Sequence, residues 1–186
     1  EYITKTDALQ GGAFTDVKAG DYYLSAVDWA LDKAVTSGTS NTTFSPNAAC
    51  TRAQAVTFLW RAAGSPEPTA TTTAFTDVKE GSYYYKAVLW AVENSITSGA
   101  TETTFAPDAT CTRSQIVTFL YRMEKSPEAT AENPFTDVKA GAFYENAVLW
   151  AVKENITTGA TATTFDPAGD CTRGQIVTFL YRCLNK

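Results

Sequence analysis

Phe14-Thr15-Asp16-Val17 returns as Phe75-Thr76-Asp77-Val78 and again as Phe135-Thr136-Asp137-Val138, at steps of 61 and 60 residues. Trp29, Trp90 and Trp150 keep the same step, as do Gly38, Gly99 and Gly159. Phe44-Ser45-Pro46, Phe105-Ala106-Pro107 and Phe165-Asp166-Pro167 follow, then Cys50-Thr51-Arg52, Cys111-Thr112-Arg113 and Cys171-Thr172-Arg173. A near-constant period marks one supersecondary unit copied in tandem. Units of this size are marginal alone, so three repeats over 12–66, 73–127 and 133–186 are expected to pack into one body. Whatever one unit recognises is then offered at up to three places, which points to multivalent binding rather than one catalytic centre.

Two helices are legible in each unit. Tyr23, Ala26, Val27, Ala30 and Leu31 fall at i, i+3, i+4, i+7 and i+8, a single apolar stripe. The later copies repeat it with Tyr84, Ala87, Val88, Ala91 and Val92, and with Tyr144, Ala147, Val148, Ala151 and Val152. This first helix is expected to end by Gly38, Gly99 or Gly159. A Thr-rich loop follows, anchored by Phe44, Phe105 or Phe165 and stiffened by the proline two residues on, which suits a recognition edge. The second helix opens at Thr51-Arg52-Ala53-Gln54, Thr112-Arg113-Ser114-Gln115 and Thr172-Arg173-Gly174-Gln175. Thr at the N-cap with Gln three residues later is a capping box. Val56, Leu59 and Trp60, with Phe58 beside them, give this helix a broad apolar face and a central place. The fold class is therefore all-α, mostly helical with long loops, built from two-helix repeats.

Bulk composition narrows the function. Hydrophobic residues at 44% and charged residues at 19% belong to an ordinary globular protein. A net charge of −5 without any basic run argues against nucleic acid, and no apolar run approaches the roughly 18 residues of a membrane span. The absence of His removes the commonest general base and zinc ligand. Glu1 is not an initiator residue, so the chain is expected to be processed or part of a longer protein. Spacings among Cys50, Cys111, Cys171 and Cys183 match no paired-ligand zinc motif, and buried thiols are the favoured reading over disulfides or metal.

Arg52, Arg113 and Arg173 need an explanation that capping does not provide. A cation at the first helical position opposes the helix dipole by roughly 0.3–1 kcal/mol. It makes sense beside an anion, because the guanidinium fork and the free backbone donors both suit a carboxylate or phosphate. That anion could be internal (Asp16, Asp77 or Asp137 of another copy) or an external ligand; both readings stand on this chemistry. Arg61, Arg122 and Arg182 lie near the helix end, where positive charge is favourable, and need no functional explanation. Trp29, Trp90 and Trp150, paired with Tyr22, Tyr83 and Phe143 seven residues earlier, are read either as packing between repeats or as the aromatic wall of a groove.

The order Phe-x-Asp-Val, Trp-Ala, Gly, Thr-Phe-x-Pro and Thr-Arg-x-Gln resembles the S-layer homology module of bacterial surface proteins, over nearly the whole chain from residue 12. The resemblance implies a pseudo-threefold body with a central bundle of one helix per copy and grooves between copies. It implies non-covalent anchoring of an exported protein to secondary cell-wall polysaccharide, in many members pyruvylated and hence anionic, at the cell wall or surface layer. By the same resemblance Arg52, Arg113 and Arg173 become ligand residues. The groove walls map to Asp16, Asp77 and Asp137, to Trp29, Trp90 and Trp150, and to the loops beginning at Gly38, Gly99 and Gly159. Asp has a competing local role, closing a turn before the first helix. The chain departs from the pattern at Asn41-Thr42, Glu102-Thr103 and Ala162-Thr163, where Asp-Gly is usual, and Glu102 is expected to disfavour an anionic glycan in its copy.

The expected partner is thus an acidic cell-wall glycan, with no cofactor, no metal and no membrane insertion. Self-association into a surface lattice is the alternative. An enzyme is disfavoured, since no His, nucleophile elbow or paired carboxylates stand in the pattern.

Overall fold

The computed structural model describes residues 13–185 of the 186-residue chain. Positions 12 and 186, the outer bounds expected for the first and third repeats, lie outside them. Six helices are present among the described residues, two per repeat: α1 (Leu24–Asp32), α2 (Arg52–Ala62), α3 (Tyr85–Glu93), α4 (Arg113–Met123), α5 (Glu145–Lys153) and α6 (Arg173–Leu184). The second helices α2, α4 and α6 touch one another in the centre. Each first helix lies on the second helix of the preceding repeat: α3 on α2, α5 on α4, and α1 on α6. The last pair joins the first repeat to the third and closes the ring.

At the middle of the ring the three cysteine backbones bond in a circle. Cys50 N–H donates to Cys171 C=O at 3.0 Å, Cys111 to Cys50 at 2.8 Å, and Cys171 to Cys111 at 2.9 Å. Three isolated antiparallel bridges flank this circle. All three thiols are fully buried and unlinked, and Cys183 is buried as well.

The repeated tetrad is a wrapper for the loop ahead of the second helix. Phe14 packs on Phe44, Phe75 on Phe105 and Phe135 on Phe165, with ring centroids 5.9, 5.9 and 5.8 Å apart. Val17, Val78 and Val138 fill the core beside them. Thr15 binds the Thr42 carbonyl through both N–H and hydroxyl, and Thr76 and Thr136 do the same with Thr103 and Thr163.

The capping boxes expected at Thr51, Thr112 and Thr172 are all formed. The stop of the first helix differs from expectation. α1 ends at Asp32, and Ala34 at φ 56° lets Val35 N–H reach back to the Ala30 carbonyl, with Ala34 N–H on Leu31. This is a Schellman turn with Ala, Ser95 or Asn155 at the left-handed position, not glycine. Gly38, Gly99 and Gly159 serve a different need. At φ 87°, 93° and 94° each lies under the ring of Phe14, Phe75 or Phe135, where a Cβ would come within 2.5 Å of the ring.

Candidate functional site

Each second helix starts under a loop of the following repeat. Arg52 N–H donates to Ala109 C=O and Ala53 N–H to Pro107 C=O; Arg113 and Ser114 use Gly169 and Pro167, and Arg173 and Gly174 use Ala48 and Pro46. The third free donor goes to the capping threonine. The backbone donors expected to help hold an anion are therefore already satisfied by neighbouring carbonyls. Only the guanidinium groups remain available.

Those groups are buried, each 4–6% exposed. The Nε of Arg52 donates to Phe105 C=O (2.8 Å), that of Arg113 to Phe165 C=O (2.8 Å), and that of Arg173 to Phe44 C=O (2.9 Å). Each guanidinium also lies between two phenyl rings, 4.8 and 5.7 Å from Phe105 and Phe119 for Arg52, with Phe165 and Phe179 flanking Arg113 and Phe44 and Phe58 flanking Arg173. Nη2 of all three is buried without a hydrogen-bond partner among the described residues. Among the described residues the ion pairs are Lys33–Asp32 and Lys86–Glu67, and neither draws on these arginines. Burial lowers the pKa of Arg52 and Arg173, partly offset by the charges of Asp77 and Asp16 at longer range. A guanidinium stays charged through such shifts.

Two of these arginines open onto hollows with one plan. A hollow of about 330 Å³ is lined by Arg113, Tyr22, Gly159, Gln175, Thr178 and Arg182, among others. One of about 260 Å³ has Arg173, Tyr83, Gly38, Gln54, Thr57 and Arg61 in the corresponding places. Loop and second helix come from one repeat, the buried arginine from the repeat before it in the ring, and the aromatic from the repeat after. No single repeat builds a cleft. Arg52 has the same partners in its own position, with Arg122 and Phe143 as the equivalents of the other lining residues. A larger hollow of about 530 Å³ lies under the first linker against α3, where Tyr85 and Lys86 are already paired to Thr71 and Glu67.

The aspartates and tryptophans expected on the walls are placed elsewhere. Asp16 accepts from Phe44 N–H (2.9 Å) and Ser45 N–H (2.7 Å), Asp77 from Phe105 and Ala106, and Asp137 from Phe165 and Asp166. Both oxygens of each carboxylate are thereby used to clamp the loop ahead of the second helix of the same repeat, not the turn before the first helix. Trp29 packs edge-on against Tyr181, Trp150 lies tilted against Tyr121, and Trp90 is buried on α3, the helix that rests on α2 of the preceding repeat. The tryptophans are packing residues, because the first helix turns that face to the preceding repeat. The aromatic of the cleft is instead the exposed Tyr22 or Tyr83, 60% and 58% accessible, with Phe143 in the third copy at 67%. Desolvation raises the hydroxyl pKa of Tyr22 and Tyr83 against a bond to Thr172 or Thr51, so each stays neutral.

Arg61 and Arg182 are also part of the clefts, a role not expected from helix-end electrostatics. Their Nη1 atoms tie the helix to the Val35 and Ile156 carbonyls. The signal was present: Gln54, Thr57 and Arg61 stand at i, i+3 and i+7, one polar stripe on an otherwise apolar helix, and so do Gln175, Thr178 and Arg182.

Comparison with known proteins gives a consistent picture. The model of the S-layer homology domain family matches residues 13–56, 74–117 and 134–177, more than half of the chain. An endoglucanase of Bacillus sp. (strain KSM-635) is 31% identical over 168 residues, covering 87% of this chain and 18% of that protein. The surface-layer 125 kDa protein of Lysinibacillus sphaericus is 34% identical over 103 residues, 55% of this chain and 9% of that protein. An S-layer protein of Bacillus thuringiensis subsp. finitimus is 23% identical over 176 residues, 93% of this chain and 21% of that protein. The chain thus spans about a fifth or less of the length of these curated relatives.

Proposed function

The chain belongs to the S-layer homology family as three domains in tandem, and from that premise we propose that it fastens a bacterial surface protein to the cell wall by gripping acidic wall polysaccharide in the clefts between repeats. The observation carrying this reading is the state of the three arginines, which are buried and charged and pair with no carboxylate among the described residues, while Arg113 and Arg173 line open clefts. A buried cation in that state is costly unless an anion completes it. A carboxylate borne on a sugar matches the two-pronged guanidinium. Tyr22 and Tyr83 add flat, accessible faces at the cleft, suited to stacking on a sugar ring.

Relatives named as surface-layer proteins support a place at the bacterial surface. The endoglucanase shares only this small portion, which fits an attachment module carried by different cargoes, with catalysis supplied by other parts of such proteins.

Co-sedimentation with purified cell-wall sacculi tests the reading. The chain should pellet with native sacculi and remain in solution with sacculi stripped of secondary polysaccharide. Arg113→Lys and Arg173→Lys together should weaken binding by roughly tenfold or more, because the ammonium keeps the charge and loses the fork. Far-UV circular dichroism should be unchanged. Full binding by this folded double variant would overturn the role given to the arginines.

A further inference from the structure

The two clefts share a plan but not a charge. Around Arg173 the lining holds, among the described residues, two guanidinium groups, Arg173 and Arg61, and no carboxylate. Around Arg113 the two guanidinium groups of Arg113 and Arg182 are matched by two carboxylates, Asp166 and Asp170. The first repeat has Ser45 and Ala49 at the corresponding places. Both clefts keep the loop clamp behind them, Asp137 or Asp16, whose oxygens are taken by backbone donors. Besides desolvation, Asp108 raises the Tyr83 hydroxyl pKa, so one carboxylate stands near the aromatic wall of the Arg173 cleft, against the two that line the Arg113 cleft.

Charges that line one hollow of a few hundred cubic ångströms lie within about a Debye length, ~8 Å at physiological salt, so dissolved ions do not fully screen the difference. Resting on the glycan reading above, we infer that the clefts are not equivalent. The Arg173 cleft takes the acidic sugar. Asp166 and Asp170 turn a singly acidic sugar away from the Arg113 cleft, which is left to uncharged units of the same polymer. The chain then reads a pattern of charged and neutral sugars along one glycan, not the same residue three times.

The amides of Gly38 and Gly159, one on each cleft, report the two sites separately in a single ¹⁵N–¹H spectrum. The probe is a monosaccharide carrying a pyruvyl ketal, with its methyl ester as the uncharged control. Gly38 should saturate at a probe concentration roughly tenfold lower than Gly159. The methyl ester should abolish that gap. Asp166→Asn with Asp170→Asn should bring the Gly159 response to within about threefold of Gly38. Asn suits position 166, where φ is 59°. The reciprocal variant, Ser45→Asp with Ala49→Asp, should weaken the Gly38 response. Equal saturation of the two amides, or no effect of either double variant, would overturn the inference while leaving the glycan reading intact. If neither amide moves in a spectrum with native dispersion, the glycan reading itself fails, and this inference with it.

Discussion

Asp77 illustrates how a single residue holds a loop. Its carboxylate accepts two backbone bonds, from Phe105 at 2.8 Å and Ala106 at 2.7 Å, and the second fixes Ala106 at φ 56°. Asp77→Ala should cost about 2–3 kcal/mol in urea unfolding, since it removes two charge-assisted bonds and releases a left-handed residue. The same clamp is sensitive to acid. Partial burial pushes the Asp137 carboxyl up, but the Phe165 and Asp166 amides and the charge of Arg113 outweigh it, so its pKa lies below the ordinary value. A carboxyl depressed in the folded state contributes stability that is complete above its unfolded pKa of about 3.9 and fades as the pH falls towards the folded value. Asp137→Asn should therefore flatten the acid limb of a stability–pH curve, measured by denaturant midpoint. The axial cysteines make the opposite case. Desolvation pushes Cys50 and Cys171 up to about 12 and Cys111 higher still. None of the three should react with a thiol reagent at pH 8 in the native protein, and all should react in guanidinium; rapid native labelling of any one would contradict the buried circle.

Helix starts and stops differed in how openly the sequence announced them. The starts of α2, α4 and α6 were legible, because a capping box is a local pattern of Thr and Gln three residues apart. The stops of α1, α3 and α5 were not, because the left-handed residue is Ala34, Ser95 or Asn155 where glycine is usual. What holds those turns is burial of the next residue, Val35, Ile96 or Ile156, each fully covered. Ala34 itself is exposed, so Ala34→Gly should relieve its backbone strain and stabilise the protein by up to about 1 kcal/mol. A rise of a few degrees in Tm would register it, and a fall would mean the turn is not strained.

At the scale of the molecule, stability comes from closing the ring. α1 rests on α6, the Cys50 amide needs the Cys171 carbonyl, and the first donors of α4 need Pro167 and Gly169. A fragment ending at Pro127 loses all three supports and should lack a cooperative unfolding transition, whereas the full chain should melt in one step by both circular dichroism and tryptophan fluorescence. A sharp native-like transition in the fragment would show that the repeats fold independently. Sequence alone determined the repeat, the two helices of each unit and the three arginines, because each is written in local spacing and copied three times. Which neighbour each piece would meet was decided only in three dimensions. The clefts are assembled from three repeats at once, so no local pattern could choose between packing and groove wall for Trp29, Trp90 and Trp150, or tell that Tyr22 and Tyr83 would take the mouth and each guanidinium would lie over a phenylalanine of the next repeat.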